Sequence, residues 1–218
     1  MYQHILFDLD GTLIDSEAGI TNAARYAFAR HHIDIPADVS LRPLIGPPLT
    51  ETLEHIYGLP PAQIPDIIAT FREYYQSRGV MECEPFTGVA DMLASLQSSG
   101  RFLYLATSKP EVFARRILER FDLSRYFTGI QGASLDSRLV EKADVIAALL
   151  ENYGLTDPSA ILMVGDHLAD FKGAAVHRIQ TLILNHGFGE RSALEAAGAT
   201  EFVDGAADIL PYLERLYQ

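Results

Sequence analysis

The chain has 218 residues, 48% of them hydrophobic and 21% charged, which excludes a disordered protein and allows one sizeable core or one core plus a modest insertion. A formal net charge of −12 argues against a nucleic-acid polymer or an anionic membrane as partner, since both would repel it at long range. The single cysteine, Cys83, excludes an intrachain disulfide and reads as a small buried hydrophobe in a reducing compartment.

The N-terminus reaches Asp8 before any long apolar run develops, and no apolar stretch approaches membrane-spanning length. No signal peptide is expected, and a cytoplasmic setting is. Ile5 to Phe7 is a short apolar run that reads as a buried strand and ends in Asp8 and Asp10. In extended backbone two residues so spaced point the same way, and Gly11 allows a sharp turn. Crowded like charges are costly without a cation. This is a first sign of a metal-assisted site, although Asp10-Gly11 between apolar residues also fits a hairpin turn. A calcium loop fits less well, because glycine is fourth here and the fifth place is Thr12. A solvated acidic loop is disfavoured by the apolar flanks.

After Ser16 the apolar residues Ile20, Ala23, Ala24, Ala27 and Phe28 recur at helical spacing. Leu49, Leu53 and Ile56 suggest a second helix, and Ile64 to Tyr75 carry a clear helical stripe. Gly46-Pro47-Pro48 and Leu59-Pro60-Pro61 are tight connectors. From Pro85 the texture alternates. Helices are expected at 89–96, 112–121, 145–153, 168–176, 192–197 and 206–216, and strands at 102–107, 129–131, 161–164, 181–184 and 201–203. Strands separated by helices imply an α/β, doubly wound parallel sheet covered on both faces. The first strand needs that sheet too. Residues 1–15 and 85–218 therefore read as one α/β core, and 16–84 as an inserted helical segment with hinges near Ser16 and Glu84-Pro85.

Ligands of open parallel sheets bind beyond the carboxyl ends of the strands, so these ends belong together. The first carries Asp8 and Asp10. The second carries Thr107-Ser108-Lys109-Pro110, where Pro110 suits the first turn of a helix and backbone N–H groups can hold an anion. The fourth carries Gly165-Asp166-His167-Leu168-Ala169-Asp170, with two more carboxylates one helical turn apart.

This set resembles the haloacid dehalogenase-like (HAD) superfamily, specifically its phosphatases with a helical cap inserted after the first strand of a Rossmann-like core. Asp8 to Ser16 look like the first family motif, Thr107 or Ser108 like the second, a lysine before a helix like the third, and Gly165-Asp166 through Asp170 like the fourth. Only three lysines occur, Lys109, Lys142 and Lys172. Lys142 opens the helix after the third strand, where the family places its phosphate-binding lysine. Lys109 is the fallback, and Lys172 reads as a surface charge.

The resemblance implies a Mg²⁺-dependent phosphatase of small phosphate monoesters. Asp8 would be the nucleophile, giving an aspartyl-phosphate, and Asp10 the acid and base. Asp8, Asp166 and Asp10, the last through its backbone carbonyl, would hold the metal. Thr107, Ser108, Gly11 and Lys142 would bind the phosphoryl group. Asp170 is expected to orient water or the lysine, with direct ligation open. Arg42 and the Ile45-Gly46-Pro47 turn are the candidate cap contacts to the leaving group, and His167 reads as a loop residue beside the site. The carboxylate at Asp10 favours phosphoryl transfer over halide release, and the absence of lysine between 16 and 84 disfavours phosphonate hydrolysis. A sugar-phosphate mutase and a non-catalytic phosphate-binding module stay open. Ala143 after Lys142 and Val176-His177-Arg178 depart from the family pattern without touching this chemistry. The phosphoglycolate-phosphatase-like and 5′-nucleotidase-like members are the most similar, which leaves glycolate, a nucleoside or another small alcohol as leaving group, from a monomer or homodimer.

Overall fold

A computed structural model of the protein describes residues 1–36, 38–135 and 139–216. The chain opens with β1 (His4–Phe7), a tight loop and β2 (Ile14–Asp15). Three helices follow, α1 (Glu17–Arg30), α2 (Leu49–His55) and α3 (Ile64–Ser77), before β3 (Glu84–Pro85). From there the elements alternate: α4 (Val89–Ser98), β4 (Phe102–Pro110), α5 (Glu111–Arg120), β5 (Phe127–Ala133), α6 (Lys142–Tyr153) and β6 (Ile161–Gly165). The chain closes with α7 (Leu168–Val176), β7 (Gln180–Leu184), α8 (Arg191–Ala196), β8 (Phe202–Val203) and α9 (Ile209–Arg215).

Six strands form one sheet in the order β5-β4-β1-β6-β7-β8, and every neighbouring pair is parallel. The sheet is buried on both faces, as the apolar strands require. Ile5, Phe7, Leu103, Leu105, Leu162 and Val164 pack on one side with residues of α4, α5 and α9. Their neighbours Leu6, Tyr104, Ala106, Ile161 and Met163 pack on the other with Val145, Ile146 and Leu149 of α6 and Ala174 of α7. That division follows directly from the two-residue period of a strand. β1 lies between β4 and β6, pairing Phe7 with Leu105 on one side and Val164 on the other. Its carboxyl end is therefore the switch point where the winding reverses and a crevice opens.

β2 and β3 form a separate antiparallel pair, with Ile14 opposite Pro85 and Asp15 opposite Glu84. The two strands that lead into and out of the helical stretch thus lie side by side. Ala23 and Ala27 of α1 and Ile67 and Phe71 of α3 are buried in the same apolar cluster that covers the first face of the sheet. No helix among the described residues is long and apolar enough to cross a membrane. The short β2–β3 pair is not among the expected strands, and the end of β4 differs from the sequence expectation. Pairing of Pro110 with Ala133 keeps β4 extended through Lys109 and Pro110, so the proline precedes α5 rather than opening it, with ψ near 128°.

Candidate active site

Asp8 leaves β1 with its backbone N–H still donating to Val164, 3.0 Å. The next residues fold back tightly: the N–H groups of Leu13 and Ile14 both donate to the Leu9 carbonyl at 2.9 and 3.0 Å. Gly11 takes φ of +80°, and a Cβ there would lie 2.2 Å from Asp166 Oδ2. Only glycine fits both demands. The turn drives Thr12 into the interior, where its hydroxyl donates to Asp166 Oδ1 at 2.9 Å.

Asp166 follows β6 and is fully enclosed. Its second oxygen accepts from the Phe188 N–H at 2.8 Å, on the loop after β7. Gly187 on that loop is forced as well, since a Cβ would stand 2.2 Å from the Asp166 Cβ. Asp170, in the first turn of α7, is fully buried. Its Oδ2 accepts from the N–H groups of Asp166 and His167 at 3.2 and 3.0 Å, while the His167 ring accepts from the Ala169 N–H at 3.2 Å. The reciprocal pair caps α7 and fixes the loop that carries Asp166.

Lys142, the first residue of α6, supplies the positive charge. Its Nζ lies 2.7 Å from Asp8 Oδ1 and 2.8 Å from Asp170 Oδ1, and donates to the Ala106 carbonyl at 3.0 Å. Burial opposes the ammonium, but Asp170 and Asp8 outweigh it and hold its pKa above the ordinary lysine value. Asp8 is raised by burial, against the Lys142 charge, with Asp170 pushing the same way as burial. Asp166 is raised well above the usual range by burial, then by the charges of Asp170 and Asp8. Asp8, Asp166 and Asp170 offer ligand atoms all within 4.8 Å of one another, an arrangement able to hold a cation. The donor set is all oxygen, which suits a hard divalent ion.

Asp10 is set apart from that cluster. Both its oxygens face Lys109 Nζ, at 2.8 and 2.6 Å. Thr107 is buried at the end of β4 and bears on Asp8 through its hydroxyl. That oxygen also accepts from the Lys109 N–H at 3.2 Å. Asp10, Ser108 and Lys109 line a cavity of about 620 Å³. Its opposite wall comes from the helical stretch, with Gly46, Pro47, Glu51, Glu54, Phe71, Arg72 and Tyr75.

The structure thus brings together Asp8, Asp10, Gly11, Thr107, Lys142, Asp166 and Asp170, with Ser108 at the rim. Lys142 takes the place beside Asp8, and Lys109, the fallback, sits on Asp10. Arg42, the candidate cap contact, does not line this cavity. Its guanidinium is held by Glu17 at 3.3 Å and stands over the Phe188 ring at 5.3 Å, and the cation that the helical stretch does send to the cavity is Arg72. The turn at Gly46-Pro47 does line it. Sequence reading missed Thr12, Phe188, Gly187, Arg72 and Tyr75. Thr12 carried a signal, as a polar residue among apolar ones in the first motif, whereas the loop at 185–190 carried only its two glycines.

The model of the haloacid dehalogenase-like hydrolase family matches residues 5–184. The chain belongs to this family. It is 37% identical over 213 residues to a 5′-nucleotidase of Pseudomonas aeruginosa, covering 98% of this chain and 96% of that protein. It is also 37% identical over 198 residues to tyrosine-protein kinase PtkA of Mycobacterium tuberculosis, covering 91% of this chain and 67% of that one. The crystal structure of a predicted phosphatase from Clostridium acetobutylicum superposes with a TM-score of 0.93 at 34% identity, covering 99% of each chain. The HAD-like relationship and the α/β fold expected from the motifs both stand.

Proposed function

We propose that the protein hydrolyses small phosphate monoesters through Asp8. The observation that carries this reading is the placement of Asp8 at the switch point, with the buried ammonium of Lys142 on one oxygen and Asp10 turned away into the cavity. Asp8 attacks phosphorus as the ester P–O bond breaks, and Asp10 gives its proton to the departing oxygen, which leaves as the alcohol. Water then attacks the aspartyl-phosphate and Asp10 takes its proton. The Asp8–phosphorus bond breaks and inorganic phosphate departs. Thr107, Ser108, the N–H of Gly11 and Lys142 hold the phosphoryl oxygens.

Asp8 and Asp166, with the Asp10 carbonyl, would hold a Mg²⁺ ion. Asp170 is already engaged on both oxygens, by Lys142 and by two backbone N–H groups, and serves to position the lysine. When bound, the ion would offset the repulsion between the Asp8 carboxylate and a phosphate dianion.

Residues 16–84 act as the cap, hinged at the β2–β3 pair, and 1–15 with 85–218 as the catalytic core. The cavity between them favours a nucleoside over glycolate as leaving group. Its volume suits a ring-bearing ligand, its wall offers Phe71, Tyr75 and Phe113, and Glu51, Glu54, Glu141 and Asp144 outnumber Arg72 and so disfavour a second anion such as a carboxylate. The buried thiol of Cys83 fits a reducing cytoplasm. No partner beyond the small ester is needed, as monomer or homodimer.

Phosphate release from p-nitrophenyl phosphate, nucleoside 5′-monophosphates and phosphoglycolate tests this, with Mg²⁺ or chelator, for the protein and for Asp8→Asn. Mg²⁺-dependent release that Asp8→Asn abolishes is expected, with nucleotides preferred over phosphoglycolate. No release from any ester by the folded, Mg²⁺-supplied protein would overturn the reading.

A further inference from the structure

Two of the three lysines are buried at this site, and the mechanism above uses only Lys142. Lys109 is 8% exposed, and its ammonium contacts both oxygens of Asp10. Burial opposes its charge, but Asp10 and then Tyr75 outweigh it and keep the ammonium above the ordinary lysine pKa. The Tyr75 ring, from α3, lies 4.9 Å from that ammonium. Tyr75 is itself buried, and its hydroxyl bears on the same Lys109 ammonium.

The arrangement answers a positional problem. Asp8, Asp166 and Asp170 already converge within 4.8 Å, and Asp10 follows Asp8 by two residues. A fourth carboxylate is drawn toward any cation in that cluster unless something competes for it. The structure shows the competitor.

We propose that Lys109 is the positioning residue for Asp10. It draws the carboxyl group away from the three-aspartate cluster and fixes it on the cavity wall facing the leaving-group oxygen, with Tyr75 of the inserted helices seated over the ammonium. The inserted segment thereby reaches the acid and base through one lysine. This rests on the reading of Asp10 as proton donor, and its test separates the two.

A leaving group of low pKa, such as p-nitrophenol, departs with little need of an acid, whereas an alcohol needs the proton. The readout is the ratio of kcat on a simple alkyl phosphate to kcat on p-nitrophenyl phosphate, for the full chain and for Asp10→Asn, Lys109→Met and Tyr75→Leu. The expected result is a ratio lowered about 100-fold in Asp10→Asn, the low end of acid catalysis. A loss of about 10-fold or more is expected in Lys109→Met, where the carboxyl group is present but misplaced. Equal loss on both substrates in Lys109→Met would show a merely structural role and overturn the proposal, as would an unchanged ratio there beside a lowered one in Asp10→Asn. An unchanged ratio in Asp10→Asn would overturn the reading of Asp10 itself. Thermal unfolding reports whether each variant folds. Should Lys109→Met not fold, Tyr75→Leu, which keeps both charges, carries the same test: a ratio lowered at least about threefold supports the proposal and an unchanged one overturns it.

Discussion

Replacing Lys142 with methionine removes the cation that lies between Asp8 and Asp170 while keeping most of the side-chain volume. In the folded protein its ammonium touches both carboxylates, at 2.7 and 2.8 Å, and all three groups are buried. Removing one partner from a buried ion pair costs about 3–5 kcal/mol. For a chain of this size that corresponds to a fall in Tm of about 6–20 °C, at about 2–4 °C per kcal/mol. The cost depends on pH in a definite direction. The folded-state pKa of Lys142 is raised, so the lysine stays charged and its contribution stays present at every pH below the ordinary lysine value. The carboxyl group of Asp8 is raised as well, so it takes up a proton as pH falls and needs the ammonium less. The difference between protein and variant is therefore largest near pH 8 and shrinks toward pH 5. Thermal unfolding followed by circular dichroism in chelator at both pH values measures it, with Lys172→Met, an exposed lysine, expected to stay within about 0.5 kcal/mol. A Lys142→Met variant that melts within two degrees of the parent at pH 8 would refute the electrostatic account of this site.

The raised Asp166 carboxyl has a linked consequence for the metal-free protein. The folded state keeps a proton that the unfolded chain has released, so stability falls as pH climbs from the ordinary value of 3.8 through the higher folded-state value. Mg²⁺ at a hundred times its Kd should add about 2.7 kcal/mol and flatten that slope; stability that rises with pH in chelator would contradict it. Gly187→Ala sets a methyl group against the Asp166 side chain, and a loss of about 1–3 kcal/mol in a urea titration is expected from the overpacking. Burial pushes the Cys83 thiol up to about 11, so the native protein at pH 8 should react with a disulfide reagent at least about 100-fold more slowly than free cysteine. The same thiol should react readily in urea.

Residues whose type and neighbours both point one way are legible in the sequence. Ile5 to Phe7 ending at Asp8, Ile161 to Val164 ending at Asp166, and Lys142 opening a helix each combine an apolar run or stripe with a charge at its end, so element and placement come together. The surroundings of Arg42 were not legible, because nothing in the local pattern of 16–84 says which face of that segment turns to the core. Its partner Glu17 is 25 residues away in sequence, and the ring beneath it, Phe188, lies beyond four strands of the sheet. Tyr75 was legible only as one apolar position of the α3 stripe. That it faces Lys109 depends on how α3 packs above β4, which is tertiary information. The Thr107-Ser108-Lys109-Pro110 stretch carried an ambiguity of its own, since a proline suits both the residue before a helix and its first turn, and the pairing with Ala133 resolved it.

Electrostatics closes the argument for a cation at the Asp8 cluster. The chain carries a net charge of −12; Asp8 and Asp170 share one ammonium and Asp166 beside them has none, so the three, once ionised, leave two negative charges in excess. A phosphate dianion approaching Asp8 meets that excess. At an effective dielectric constant of 20, each unit pair about 4 Å apart contributes about 4 kcal/mol of repulsion. Lys109 does not relieve it, because its charge is spent on Asp10. The fold thus assembles a site that holds Asp8 and Asp10 on separate lysines and leaves the remaining imbalance at the carboxyl ends of β1 and β6. One divalent ion would remove that imbalance, which is the electrostatic case for a cation beside Asp8 and Asp166.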